Sequence, residues 1–132
     1  MNKENIISFL DDNGLTEIEE IKHNKEGLLL KFDFDFDKEE IDAAKAYADD
    51  ESEETEENDT WYDNFFIPYL NELAIDTVGE IIEDLMDELE VEAQFISYEI
   101  SKEDYNYNEF VAVFYERGKE IDLGEILDSL EL

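Results

Sequence analysis

The sequence predicts an α+β fold, an antiparallel sheet of about four strands in two hairpins with helices packed on one face. Three observations carry that prediction. Residues 69–90 repeat apolar side chains with the period of a helix, residues 28–37 alternate with the period of a strand, and the strand-like stretches fall into two pairs joined by polar loops.

The chain opens with a helix over residues 3–12, whose Ile6, Ile7, Phe9 and Leu10 turn inward and whose left-handed stop is Asn13-Gly14. Two strands follow, 16–24 and 28–37, joined through 24–27, where Gly27 permits the turn. In the second strand Leu28, Leu30, Phe32, Phe34 and Phe36 form one face. Leu29, Lys31, Asp33, Asp35 and Asp37 form the other. Residues 38–48 read as a weakly apolar helix through Ile41, Ala44 and Ala48, running into the acidic tract 49–59, which has nothing apolar to bury and is expected to be a mobile loop or a frayed helix end.

Trp61, Tyr62, Phe65 and Phe66 then recur at helical spacing, and Pro68 suits the first turn of a long central helix over 69–90. On that helix Leu70, Ala74, Ile75, Val78, Ile81, Ile82, Leu85, Met86 and Leu89 share one broad sector, with Leu73 alone on the wrong side. Residues 91–100 and 109–116 form the second hairpin, and the continuous apolar run 110–115 marks a central strand. Asp122 and Glu125 make a capping pair for a last helix bearing Leu123, Ile126, Leu127 and Leu130.

A chain of 132 residues is expected to form a single domain, and 42% hydrophobic residues set it above the disordered profile in spite of a formal net charge of -32. Charge of that size costs stability through self-repulsion and exceeds what solubility needs. The absence of cysteine removes disulfides and thiolate chemistry, and no apolar run approaches a membrane span, so a soluble, cytoplasmic protein is expected. Nucleic acid and anionic lipid are both repelled by such a surface, which leaves a basic protein as the natural partner.

The charge is concentrated. Between Lys45 and Lys102 there is no Lys, Arg or His but nineteen acidic residues. Along the long helix Glu72, Asp76, Glu80, Glu83, Asp84, Asp87 and Glu90 occupy the sector opposite the apolar one. Spread over about 27 Å they give about one charge per 4 Å, close to the spacing of phosphates on one DNA strand. Asp33, Asp35 and Asp37 add a row on the second strand, where aspartate is disfavoured. Together these carboxylates are expected to imitate a polyanion and occupy the groove of a basic, nucleic-acid-binding protein such as a restriction, CRISPR or toxin nuclease. Most of the aromatic cluster Trp61, Tyr62, Phe65, Phe66 and Tyr69 is expected to pack in the core, with Trp61, at the edge of the acidic tract, the expected aromatic contact.

Enzymatic readings have little to stand on. The single histidine, His23, lies beside a turn, no glycine-rich phosphate loop or nucleophile elbow is present, and 41 acidic residues make any one carboxylate pair uninformative. No cofactor or specific metal is implied, since the nearest approach to a calcium loop, Asp11, Asn13, Gly14 and Glu20, would start on Phe9. Two rival readings stand beside mimicry: a small housekeeping domain whose acidity is only solvation, and a protein that oligomerises through the Trp61, Tyr62, Phe65, Phe66 and Tyr69 cluster.

Overall fold

The computed structural model describes residues 1–52 and 58–130. Its elements are α1 (Lys3–Asp12), β1 (Thr16–Glu20), β2 (Leu28–Asp35), α2 (Lys38–Ser52), α3 (Asp59–Trp61), a π-helical turn (Tyr62–Phe66), α4 (Ile67–Leu89), β3 (Val91–Ser97), β4 (Tyr107–Glu116) and α5 (Leu123–Leu130). The fold is α+β, with a four-stranded antiparallel sheet of order β1-β2-β4-β3. Both hairpins form, and β4, with its apolar run, is central. No described helix is long and apolar enough to cross a membrane.

The α4 segment organises the larger core because its buried stripe, Leu70, Ala74, Val78, Ile82 and Leu85, meets the sheet face made by Leu30, Phe32, Phe110, Ala112 and Phe114. Phe32 and Phe110 stack across β2 and β4 at 5.8 Å between ring centroids. Ile6 and Leu10 of α1 and Ala44 and Ala48 of α2 complete this layer. Leu73 packs against the core from the flank and Ile75 is 36% exposed, the reverse of the expected assignment, because neighbouring elements widen the burial around one side of α4.

The central helix is longer than 69–90. From α3 through the π turn into α4 it runs for 31 residues. The π turn ends two residues before Pro68, whose ring would otherwise meet the carbonyl of Asn64 in a regular helix; the widened turn relieves that clash. At the other end Glu90 stops the helix in a left-handed conformation, φ 55°, with its N–H donating to Met86.

The reverse sheet face is covered in part. There α5 packs Leu123, Ile126 and Leu127 on Leu29, Val111 and Val113, so a second, smaller core lies opposite the main one. Gln94 fixes this docking: its amide donates to the Ile121 carbonyl and to the Tyr115 hydroxyl, and its oxygen accepts from the Leu123 N–H. The Asp122 cap is present, accepting from the Glu125 N–H.

Several boundaries differ from expectation. β1 ends at Glu20 rather than 24, and His23 bridges the loop, its ring accepting from the Lys25 N–H at 3.2 Å and lying 2.8 Å from the Gly27 carbonyl. Gly27, at φ 100°, is required there, since a Cβ would lie 2.8 Å from the Val113 side chain. The acidic tract is not all loop. Asp49 to Ser52 form the last turn of α2, and Asn58 caps α3 by accepting from the Trp61 N–H; the remaining part, 53–57, lies outside the described residues.

Candidate functional site

A helix satisfies its own backbone polar groups, so side chains on its outer face have only solvent and one another to meet. That is the situation of Glu72, Asp76, Glu80, Glu83, Asp84, Asp87 and Glu90. All are exposed, and among the described residues none forms an ion pair or a side-chain hydrogen bond. Glu88 is exposed as well, although a rotation of about 100° per residue places it at the edge of the apolar sector. Most of the few cations pair elsewhere: Lys3 and Lys22 with Glu20, Lys31 with Glu109, Lys38 with Asp42, Lys119 with Glu26 and Arg117 with Glu92. Near the start of the helix, Lys102 pairs with Asp59 at 2.9 Å and Asp63 at 3.8 Å, and Lys45 lies over the Tyr105 ring at 5.9 Å.

This arrangement is unfavourable for the helix itself. Glu72 with Asp76, Asp76 with Glu80, Glu80 with Asp84, Glu83 with Asp87 and Asp84 with Glu88 are like-charged neighbours four residues apart, each costing about 0.2–0.5 kcal/mol. Acids also crowd the C-terminal end, where the helix dipole disfavours them and no basic residue stands in the last turn. The Arg117 guanidinium, donating to the Met86 carbonyl at 2.9 Å, is the cation that reaches this end.

The aspartates of β2 are placed differently. Asp37 lies beyond the strand and caps α2: it accepts from the Glu40 N–H at 2.8 Å while its own N–H donates to the Glu40 carboxylate at 2.9 Å. Asp35 accepts from the Thr16 hydroxyl at 2.7 Å. Asp33 is half-buried on the α5 side of the sheet, and one of its oxygens is buried with no hydrogen-bond partner. Burial first, and then the neighbouring Glu109 carboxylate, push its pKa up from 3.8 to about 6, against a smaller opposing pull from Lys31. The three therefore do not form one row of free carboxylates, because β2 ends at Asp35 and the chain turns to start a helix.

No protein-family model matches the chain, and comparison with curated proteins and with solved structures finds none similar to it.

Trp61 requires a correction. It is 1% exposed, stacked on Phe66 at 4.8 Å, and its indole N–H donates to Asp49 at 2.9 Å, so it is no contact for a partner in the folded chain. Tyr62 and Tyr105 close over the same cluster. Of the aromatic residues at helical spacing, Trp61 and Phe66 are buried beside the π turn, while Tyr62, Phe65 and Tyr69 are half-buried against the same core. Nor do the described residues include a group of three or more His, Asp or Glu arranged to hold a metal ion.

Proposed function

We propose that the protein is a binding module that presents the acidic ridge of α4 as a polyanion to a basic, nucleic-acid-binding protein, blocking the groove where nucleic acid would lie. The observation that carries this reading is the ridge of exposed, unpaired carboxylates from Glu72 to Glu90, maintained at a cost to helix stability. Solubility alone is served by mixed charge, and a solvated helix face ordinarily interleaves Lys with Glu. A rigid helix holds the charges at fixed, phosphate-like intervals, and close charge pairs across an interface are worth about 1.5–7 kcal/mol each.

The test is competition. Immobilised protein should retain nucleic-acid-binding proteins at low salt and release them both to added salt and to duplex DNA. The quadruple variant Glu72→Gln, Asp76→Asn, Glu83→Gln, Asp87→Asn should retain none. Retention that survives those substitutions, or that duplex DNA never displaces, would reduce the ridge to a solvated exterior.

A further inference from the structure

Antiparallel strands alternate residues whose N–H and C=O groups face the partner with residues whose groups face away. The Tyr98 N–H donates to the Glu109 carbonyl at 2.8 Å, and the register is unbroken from Val91 opposite Glu116 to Ser97 opposite Phe110. Even-numbered residues of β3 therefore bond β4. The backbone groups of Ala93, Phe95 and Ser97 point out of the sheet, because β3 is its last strand.

The two edges of the sheet are unlike. At the other side β1 is five residues long and bulged between Thr16 and Glu19, with Glu17 at φ 51° and three glutamates along it. Those are the devices by which proteins keep an edge from pairing. β3 has none of them: seven residues, no bulge in its pairing, no Lys or Pro, and Glu92 as its single charge. Ile75 and Ile96, 36% and 38% exposed, bracket it from the two sides of the sheet.

The edge also lies under the acidic ridge. Asn71 donates to the Ser97 hydroxyl at 3.3 Å, and a Cβ on Gly79 would sit 3.7 Å from the Phe95 ring, so the row Asn71, Ile75, Gly79 overlies β3. Glu83 continues that row past Gly79, and helical geometry sets Glu72 and Asp76 on the next row outward, along the lip of the edge. Past Ser97 the groove opens into a cleft of about 390 Å³ between Ile67, Pro68 and Asn71 on one wall and Tyr98, Glu99 and Ile100 on the other.

We infer that the β3 edge is where the basic partner docks, through an extended segment that adds as a fifth strand. Its alternate Lys or Arg side chains lie against Glu72, Asp76 and Glu83, and its intervening apolar side chains cover Ile96. The inference rests on the reading of the ridge as a partner-binding surface and adds the form the partner takes. Charge selects the occupant: a second copy would bring another chain of net charge -32 and a second ridge alongside the first.

The probe is a synthetic peptide alternating Lys and Val over the length of β3, compared at low salt with the same peptide N-methylated at its lysines. Methylation keeps the charge and removes the N–H groups that would bond Ala93, Phe95 and Ser97. The unmethylated peptide should slow amide exchange at those three residues and bind at least tenfold tighter than the methylated one. Ala93→Pro, which removes one outward N–H and leaves the ladder to β4 intact, should weaken binding to a similar degree. Equal binding of both peptides to the wild-type protein, with perturbation confined to α4, would overturn the added strand and leave the ridge reading standing. Failure of both peptides to bind would reject the two together, and a dimer of the free protein joined through β3 would reject the choice of occupant.

Discussion

On α4 the carboxylates are many, exposed and unpaired, whereas on and after β2 Asp37 caps a helix, Asp35 accepts from the Thr16 hydroxyl and Asp33 is half-buried with one oxygen unpartnered. The residue types are the same and the spacings are similar. For Asp37 the difference lies in the backbone groups within reach. A helix exterior offers no free N–H, so a side chain there faces outward; the end of a strand that turns into a helix offers several, and Asp37 takes one of them. A row of acids becomes an external surface only where the local structure has already satisfied its own donors.

The largest expected effect separates the two regions by binding. Neutralising Glu72, Asp76, Glu83 and Asp87 should weaken association with a basic partner by about ten-thousandfold at low salt, from four charge contacts each worth about 1.5 kcal/mol. Neutralising Asp33, Asp35 and Asp37 together should change it by less than about tenfold. Isothermal titration on the folded variants checks both, and equal losses would erase the distinction.

Much of the fold is legible in the sequence because it rests on periodicity. The alternation in 28–37 and the helical repeat in 69–90 report which faces are buried, and the continuous apolar run at 110–115 marks β4 as central. The ridge is legible for the same reason, since each of its seven expected acids is exposed. What periodicity does not carry is the identity of a neighbour. Trp61 stands next to an acidic tract in sequence and under Phe66 and Asp49 in space, and Asp37 continues the β2 alternation although the strand has ended. Leu29, in the alternation with the aspartates, is covered only because α5 returns from the far end of the chain. Pairing of that kind is a property of tertiary contact, and no local pattern encodes it.

Stability should divide the regions in opposite directions. Asp37→Ala removes a reciprocal cap from α2 and should cost about 1 kcal/mol, within a range of about 0.5–2. The quadruple ridge variant removes like-charge pairs and should gain a comparable amount, about 1 kcal/mol, at low salt. Urea unfolding of each variant reads the sign directly, and a ridge variant that loses stability would show that its carboxylates hold structure after all.

The smallest effect concerns Asp33, and pH makes it specific. Its folded pKa of about 6 lies above the ordinary 3.8, so the fold disfavours the charged form. Below 3.8 both folded and unfolded chains carry the proton and nothing is lost; between 3.8 and about 6 the unfolded chain gives it up first, and stability falls as pH rises. Above that window the deficit is constant. Asp33→Asn should therefore match the wild type in acid and exceed it at neutral pH by about 1 kcal/mol, the full shift being discounted because the side chain is only half-buried. Salt then distinguishes this gain from that of the ridge. Repulsion between exposed carboxylates is screened when the Debye length shrinks to about 3 Å at 1 M salt, so the ridge variant should lose most of its advantage there. Desolvation at Asp33 is not screened, and the Asn variant should keep most of its own. A gain at Asp33 that vanishes with salt would mean that Glu109, and not burial, sets its titration.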